Sequence, residues 1–143
     1  MLTTPDAGWT TIKIGDWQDI CSYLCDPAHE LLEAVDYTLL TGNKTICEFD
    51  AEGYNYMMII SDSDVYIITE KDDVSVTQQS IEISDLAKEL ISDIRKDIEK
   101  WVHWQPDEDE KYYSNERNYI LTMCDAIEEI IENKYEEIEE VLI

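Results

Sequence analysis

Any fold of this chain has to carry a formal charge of −24 on only 143 residues. Thirty-four residues are Asp or Glu and ten are Lys or Arg. A field of that size opposes compaction, so it has to be held by a core and spread over a solvated surface. Solubility alone asks for a net charge of only ~2–8 on a small domain. The field repels nucleic acid and anionic membrane surfaces and attracts basic proteins. The expected partner is therefore a basic protein, with no direct nucleic-acid or membrane contact.

A chain this acidic could be disordered, but its apolar residues argue otherwise. They make up 44% of the sequence, include four Trp, nine Tyr and one Phe, and recur with regular spacing. Four Gly and three Pro interrupt them. The length suits one domain over residues 1–143. No basic segment followed by an apolar stretch opens the sequence, and no run approaches the ~18 apolar residues of a membrane span. We expect a cytoplasmic protein whose cysteines, Cys21, Cys25, Cys47 and Cys124, are reduced.

Residues 9–14 alternate as a strand does, and Gly15 ends it. Asp16 is placed to cap a short helix with Trp17, Ile20, Cys21 and Leu24 on its inner face. Asp26 and Pro27 suit the cap and first position of a second helix. That helix carries Leu31, Leu32, Val35 and Leu39 inward and stops at Gly42. Strands are predicted over 44–50, 54–60 and 65–70, with a weaker one within 74–83. The unbroken apolar run Tyr56 to Ile60 suggests a central strand covered on both faces. Helical spacing returns from Ser84 to about residue 104, through Ala87, Leu90, Ile94, Ile98 and Trp101. A last helix is predicted from about Ser114, with Ile120, Met123, Ile127, Ile130, Ile131, Ile138, Val141 and Leu142 as its apolar stripe. The pattern is α+β: a small antiparallel sheet of three to four strands packed by helices, with a long C-terminal helix.

The charge is unevenly distributed. Residues 84–106 are nearly neutral at −1, whereas 107–143 carry −10. We expect the first stretch to be a solvated face with local ion pairs. In the second, Asp125, Glu128, Glu129, Glu132, Glu136, Glu137, Glu139 and Glu140 are answered in their stretch only by Lys134. Like charges at i,i+4 are unfavourable by ~0.2–0.5 kcal/mol each, and acids near a helix C-terminus oppose its dipole. Stability would favour lysines there. An i,i+4 step climbs ~6 Å, against ~3.4 Å of axis per phosphate on one DNA strand. A firm row of carboxylates could therefore occupy phosphate sites in a basic groove. The candidate partner-binding residues are these eight acids together with Asp107, Glu108, Asp109 and Glu110.

Residues for catalysis are sparse. His29 and His103 are the only histidines, and both suit structural or surface roles. Cys21 and Cys25, four apart on the predicted short helix, could supply two metal ligands, but no further ligands follow at zinc-site spacing. The four glycines are too scattered for a phosphate loop, and neither Asp62-x-Asp64 nor Asp107-x-Asp109 continues as a calcium loop. No catalytic residue, metal or cofactor is assigned. Trp101, Trp104, Tyr112 and Tyr113 could be core or partner anchor.

In size and charge density the chain resembles phage-encoded nucleic-acid mimics of the anti-CRISPR and anti-restriction kind. The likeness is one of kind and maps no residue. It implies a non-enzymatic inhibitor that occupies the nucleic-acid channel of a nuclease or another nucleic-acid-binding protein. An immunity protein or antitoxin that neutralises a basic nuclease toxin would be acidic for the same reason. A small-molecule-binding domain or enzyme with an incidentally acidic surface is the third alternative.

Overall fold

A computed structural model describes residues 1–142, including every side chain among them except those of Tyr135 and Ile138. The fold is α+β. A hairpin of β1 (Trp9–Ile14) and β2 (Trp17–Ser22) leads into α1 (Pro27–Thr41). Four strands follow, β3 (Thr45–Asp50), β4 (Asn55–Ile60), β5 (Asp64–Glu70) and β6 (Val74–Ser80). They form an antiparallel meander in that spatial order. The chain ends in α2 (Ile83–Lys96), the short α3 (Ile98–Val102) and the long α4 (Glu110–Leu142).

The layers follow from side-chain alternation. Cys47, Phe49, Tyr56, Met58, Ile60, Val65 and Ile67 point to one face of the meander and are buried. That face meets α1, which packs against β3 and β4. Helix α1 also meets α2 and α4, and Leu31, Leu32, Val35 and Leu39 are buried between these layers as expected. The helix begins as the sequence suggests: Asp26 accepts the His29 N–H at 3.0 Å, Pro27 opens the first turn, and Gly42 ends it at φ +74°.

Several expectations need correction. Residues 17–22 form a strand, not a helix. Gly15 and Asp16 are the two-residue loop of a hairpin, with Ile14 opposite Trp17. Gly15 takes φ +57° and Asp16 does not take a positive φ, as in a type II′ turn with glycine first. As a result Ile20 and Leu24 are exposed, and Cys21 alone of the four proposed inner residues is fully buried. Strand β4 is central, but it is covered on one face only; Met57 and Ile59 lie half-buried on the other. The helix predicted from 84 to 104 starts a residue earlier and breaks at Asp97, whose carboxylate accepts Thr4 Oγ1 at 2.8 Å. The last helix begins at Glu110, because Asp109 caps it by accepting the Tyr112 N–H at 2.8 Å.

Candidate functional site

The predicted acids fall into three groups along α4. Asp107 to Glu110 lie at its N-terminal end. Asp107 sits at φ +62° in the preceding turn, Asp109 is the cap, and Glu110 occupies the first turn, where the helix dipole favours an anion. Two of these four acids thus have a structural role. At 1.5 Å per residue, this end is roughly 40 Å from Glu137, so the structure does not gather the two acidic runs into one patch.

Asp125 and Glu128 form the second group. Arg95 of α2 reaches across to both, 2.7 Å from Asp125 Oδ1 and also bonded to Glu128 Oε2. Carboxylate bonding to Glu128, then Asp125, raises the Arg95 pKa above its ordinary value. The expected local pairs of the near-neutral helix are therefore replaced here by pairs between helices. Asp93 on α2 binds the N-terminal ammonium at 2.6 Å.

The third group is Glu129, Glu132, Glu136, Glu137, Glu139 and Glu140. All are exposed and none makes an ion pair among the described residues. Lys134, the one base in their stretch, donates to the Leu39 carbonyl in the last turn of α1 at 2.9 Å. It neutralises a helix C-terminus instead of pairing with the glutamates around it. Past Ile131 every described side chain of α4 is exposed, including Val141 at 86% and Leu142 at 80%. Among the described side chains the expected apolar stripe is therefore buried only as far as Ile131; Ile138 lies outside the described side chains. Most of the acidic row lies beyond Ile131, the last buried side chain of α4 among the described residues.

Two other clusters resolve into structural roles. His29 Nε2 lies 2.7 Å from Glu116 Oε2 on α4 and 3.9 Å from Asp26 Oδ2. The donor atoms of Asp26, His29 and Glu116 lie within 4.8 Å of one another. Tyr119 stacks on the His29 ring at 4.5 Å and donates to Glu33 at 2.6 Å. Together these contacts pin the start of α1 to α4. Sequence spacing could not reveal them, because Glu116 is 87 residues from His29. The aromatic cluster is core: Trp101, Trp104 and Tyr113 are buried, and Tyr112 is partly so. Trp104 donates to the Cys25 carbonyl at 2.8 Å, while the buried Trp101 Nε1 has no acceptor among the described residues.

The cysteines are free. Cys21 lies next to last in β2 and Cys25 in the loop before α1, so the two do not share a helix face; their Sγ atoms are 2.9 Å apart. Hydrogen bonding from Cys21 lowers the Cys25 thiol pKa, and the same bond, with burial, raises that of Cys21. Burial pushes Cys47 up to about 12 and Cys124 to about 11.

No family model, curated protein or solved structure matches this chain. What defines its class is the fold together with this surface: an α+β domain bearing a solvent-exposed row of carboxylates. Among the described residues no helix is long and apolar enough to cross a membrane.

Proposed function

We propose that this protein is a stoichiometric inhibitor that occupies the basic nucleic-acid channel of a nuclease or another nucleic-acid-binding protein, working as an acidic mimic and not as an enzyme. One observation carries the reading: the exposed Glu129, Glu132, Glu136, Glu137, Glu139 and Glu140 of α4 make no ion pair with either of the two nearest bases that have a defined partner, since Lys134 is turned to an α1 carbonyl and Arg95 is held by Asp125 and Glu128. A chain shaped for stability would have answered them. Glu132, Glu136 and Glu140 recur at ~6 Å intervals, a spacing compatible with alternate phosphate positions along one strand.

The test is affinity capture from the source cell with and without nuclease, followed by competition on the purified partner. The expected partner is basic, binds in a salt-sensitive manner, and releases its nucleic acid when the acidic protein binds. A ternary complex with nucleic acid still in the channel would exclude mimicry. Replacing Glu129, Glu132, Glu136 and Glu140 by Gln should weaken binding with the fold intact. The matched control is Asp85→Asn with Glu89→Gln, since Asp93 and Asp97 hold the N-terminal segment.

A further inference from the structure

The meander has a second face, and its composition is unusual for this chain. Antiparallel sheets with one face in water normally alternate apolar-in with polar-out. Here half of the outward positions are themselves apolar, and they cluster at the centre of the face. Register places Ile46, Ile59 and Tyr66 side by side in one row. The adjacent row brings Met57, Ile68 and Val76 together, with Glu48 at its β3 end. Ile46 is 62% exposed, Val76 63% and Val74 66%. No described helix covers them: α1 lies on the opposite face, and α4 packs on α1, α2 and α3. A contiguous exposed apolar patch of this kind on a soluble domain marks an interaction surface.

Its border is acidic. Glu48 and Asp50 flank it on β3, and Asp64 and Glu70 stand at the two ends of β5. At one corner a cleft of about 410 Å³ sets Glu48, Asp50 and Glu70 beside Met57 and Ile68. Residues 44–83 hold nine acids and two bases, and Lys71 of that pair lies 4.9 Å from the centre of the Tyr54 ring. An apolar centre inside a charged rim is the usual anatomy of a protein interface. Strand β6 adds a second sign. Its outer edge is unpaired among the described residues, and Val74–Ser80 contains no charged residue or proline, the devices that usually guard a free edge.

We infer that the open face of the β3–β6 sheet is the contact surface for the partner, and that the partner presents an apolar centre ringed by Lys and Arg. The inference rests on the reading of a basic partner and adds where that partner sits. A second copy of this chain fits poorly, because it would bring two acidic rims together. Helix α4 is on the far side of α1, so a partner whose channel takes up the α4 glutamates must reach around the domain to seat on this sheet; the glutamates then set chiefly the association rate and the sheet the dissociation rate.

The test places a benzoylphenylalanine photo-cross-linker at Val76 of the full chain, and separately at Glu129 and Glu89. Each version is irradiated in source-cell extract, and adducts are identified by mass spectrometry. Identified partners are then purified for binding kinetics. We expect a basic protein joined at Val76. Ile46→Thr with Val76→Thr, which keeps β-branched residues in both strands, should weaken its binding roughly tenfold or more through faster dissociation. Val76→Lys should block it by placing a cation against the basic ring. The Gln substitutions on α4 should instead slow association. A basic protein joined at Glu129 and never at Val76 overturns the docking face and leaves the electrostatic reading standing. An adduct at Val76 with a second copy, or with a protein lacking basic surface, overturns the proposal and removes support for the electrostatic reading. Unchanged kinetics in both sheet variants, each shown folded by circular dichroism, also overturn it.

Discussion

Single residues in this protein are decided by what lies beside them in space. Cys25 is half-exposed while Cys21, Cys47 and Cys124 are buried, and it alone of the four thiols has a lowered pKa. Iodoacetamide at pH 8 should therefore give one adduct first, at Cys25. Peptide mapping checks this, and first labelling at Cys47 or Cys124 would contradict the packing. Asp26 shows the opposite balance. Burial raises its carboxyl pKa, outweighing the pull of His29. The folded group thus holds its proton more tightly than the unfolded one, which titrates near ~3.9. Stability is lost as pH rises from that value through the raised folded one, and returns on acidification. Asp26→Asn keeps the cap and removes the charge, so at pH 7 it should match or exceed the wild type. Asp26→Ala loses the cap and should be less stable by about 1 kcal/mol. Urea unfolding at pH 7 and pH 3.5 checks both, with the gap between wild type and Asn closing at the lower pH.

At the scale of elements, the sequence is legible where local chemistry and tertiary packing agree. Helix α1 has its cap, its proline, its apolar face and its terminal glycine all written locally, and it forms as read. The meander strands are likewise bounded by turn residues. Strand β2 was hidden because Trp17, Ile20, Cys21 and Leu24 fit a helical period by coincidence, while the stronger signal was the Gly-Asp pair between two alternating runs. The break at Asp97 has no local mark, since neither Gly nor Pro is there; Thr4, 93 residues away, supplies the contact. The acidic run 107–110 reads as loop by composition, yet Asp109 is a cap. The acidity of α4 was legible, but not the reach of Arg95 from another helix, nor that Lys134 leaves its neighbours for Leu39. The apolar outer face of the meander could be read only once strand register was known. Helix α4 carries a prediction of its own. Amides past Ile131 should exchange much faster than those of residues 120–131, because no described side chain beyond that point is buried. Changing Glu129, Glu132, Glu136 and Glu140 to Gln removes like-charge pairs of ~0.2–0.5 kcal/mol each, and so should slow that exchange. Hydrogen exchange by mass spectrometry reads both.

The whole molecule is a stack of meander, α1, and then α2 and α4, with acids on the outside of each layer and 24 of its 34 carboxylates in formal excess over its bases. Several ion pairs among the described residues are tertiary ties: Arg95 to α4, Arg117 of α4 to Glu99 of α3, and the N-terminus to Asp93. They bring a few acids into register with bases and leave the rest to repel across the surface. Added salt has two opposing effects on such a body. It weakens the ties, and it screens the repulsion as the Debye length falls from ~30 Å at 0.01 M to ~10 Å at 0.1 M. The ties are few and close-range, whereas the repulsion is summed over many pairs at distances comparable with the Debye length. Repulsion should therefore dominate, and Tm should rise over that interval. A flat or falling Tm would show that the surface charge is already compensated. The Gln quartet on α4 separates the sources: it should raise Tm at 0.01 M and flatten the salt dependence. Asp85→Asn with Glu89→Gln, set among the bases of α2, should change the slope less. An equal effect of the two sets would mean that the repulsion is global and that α4 holds no special share of it.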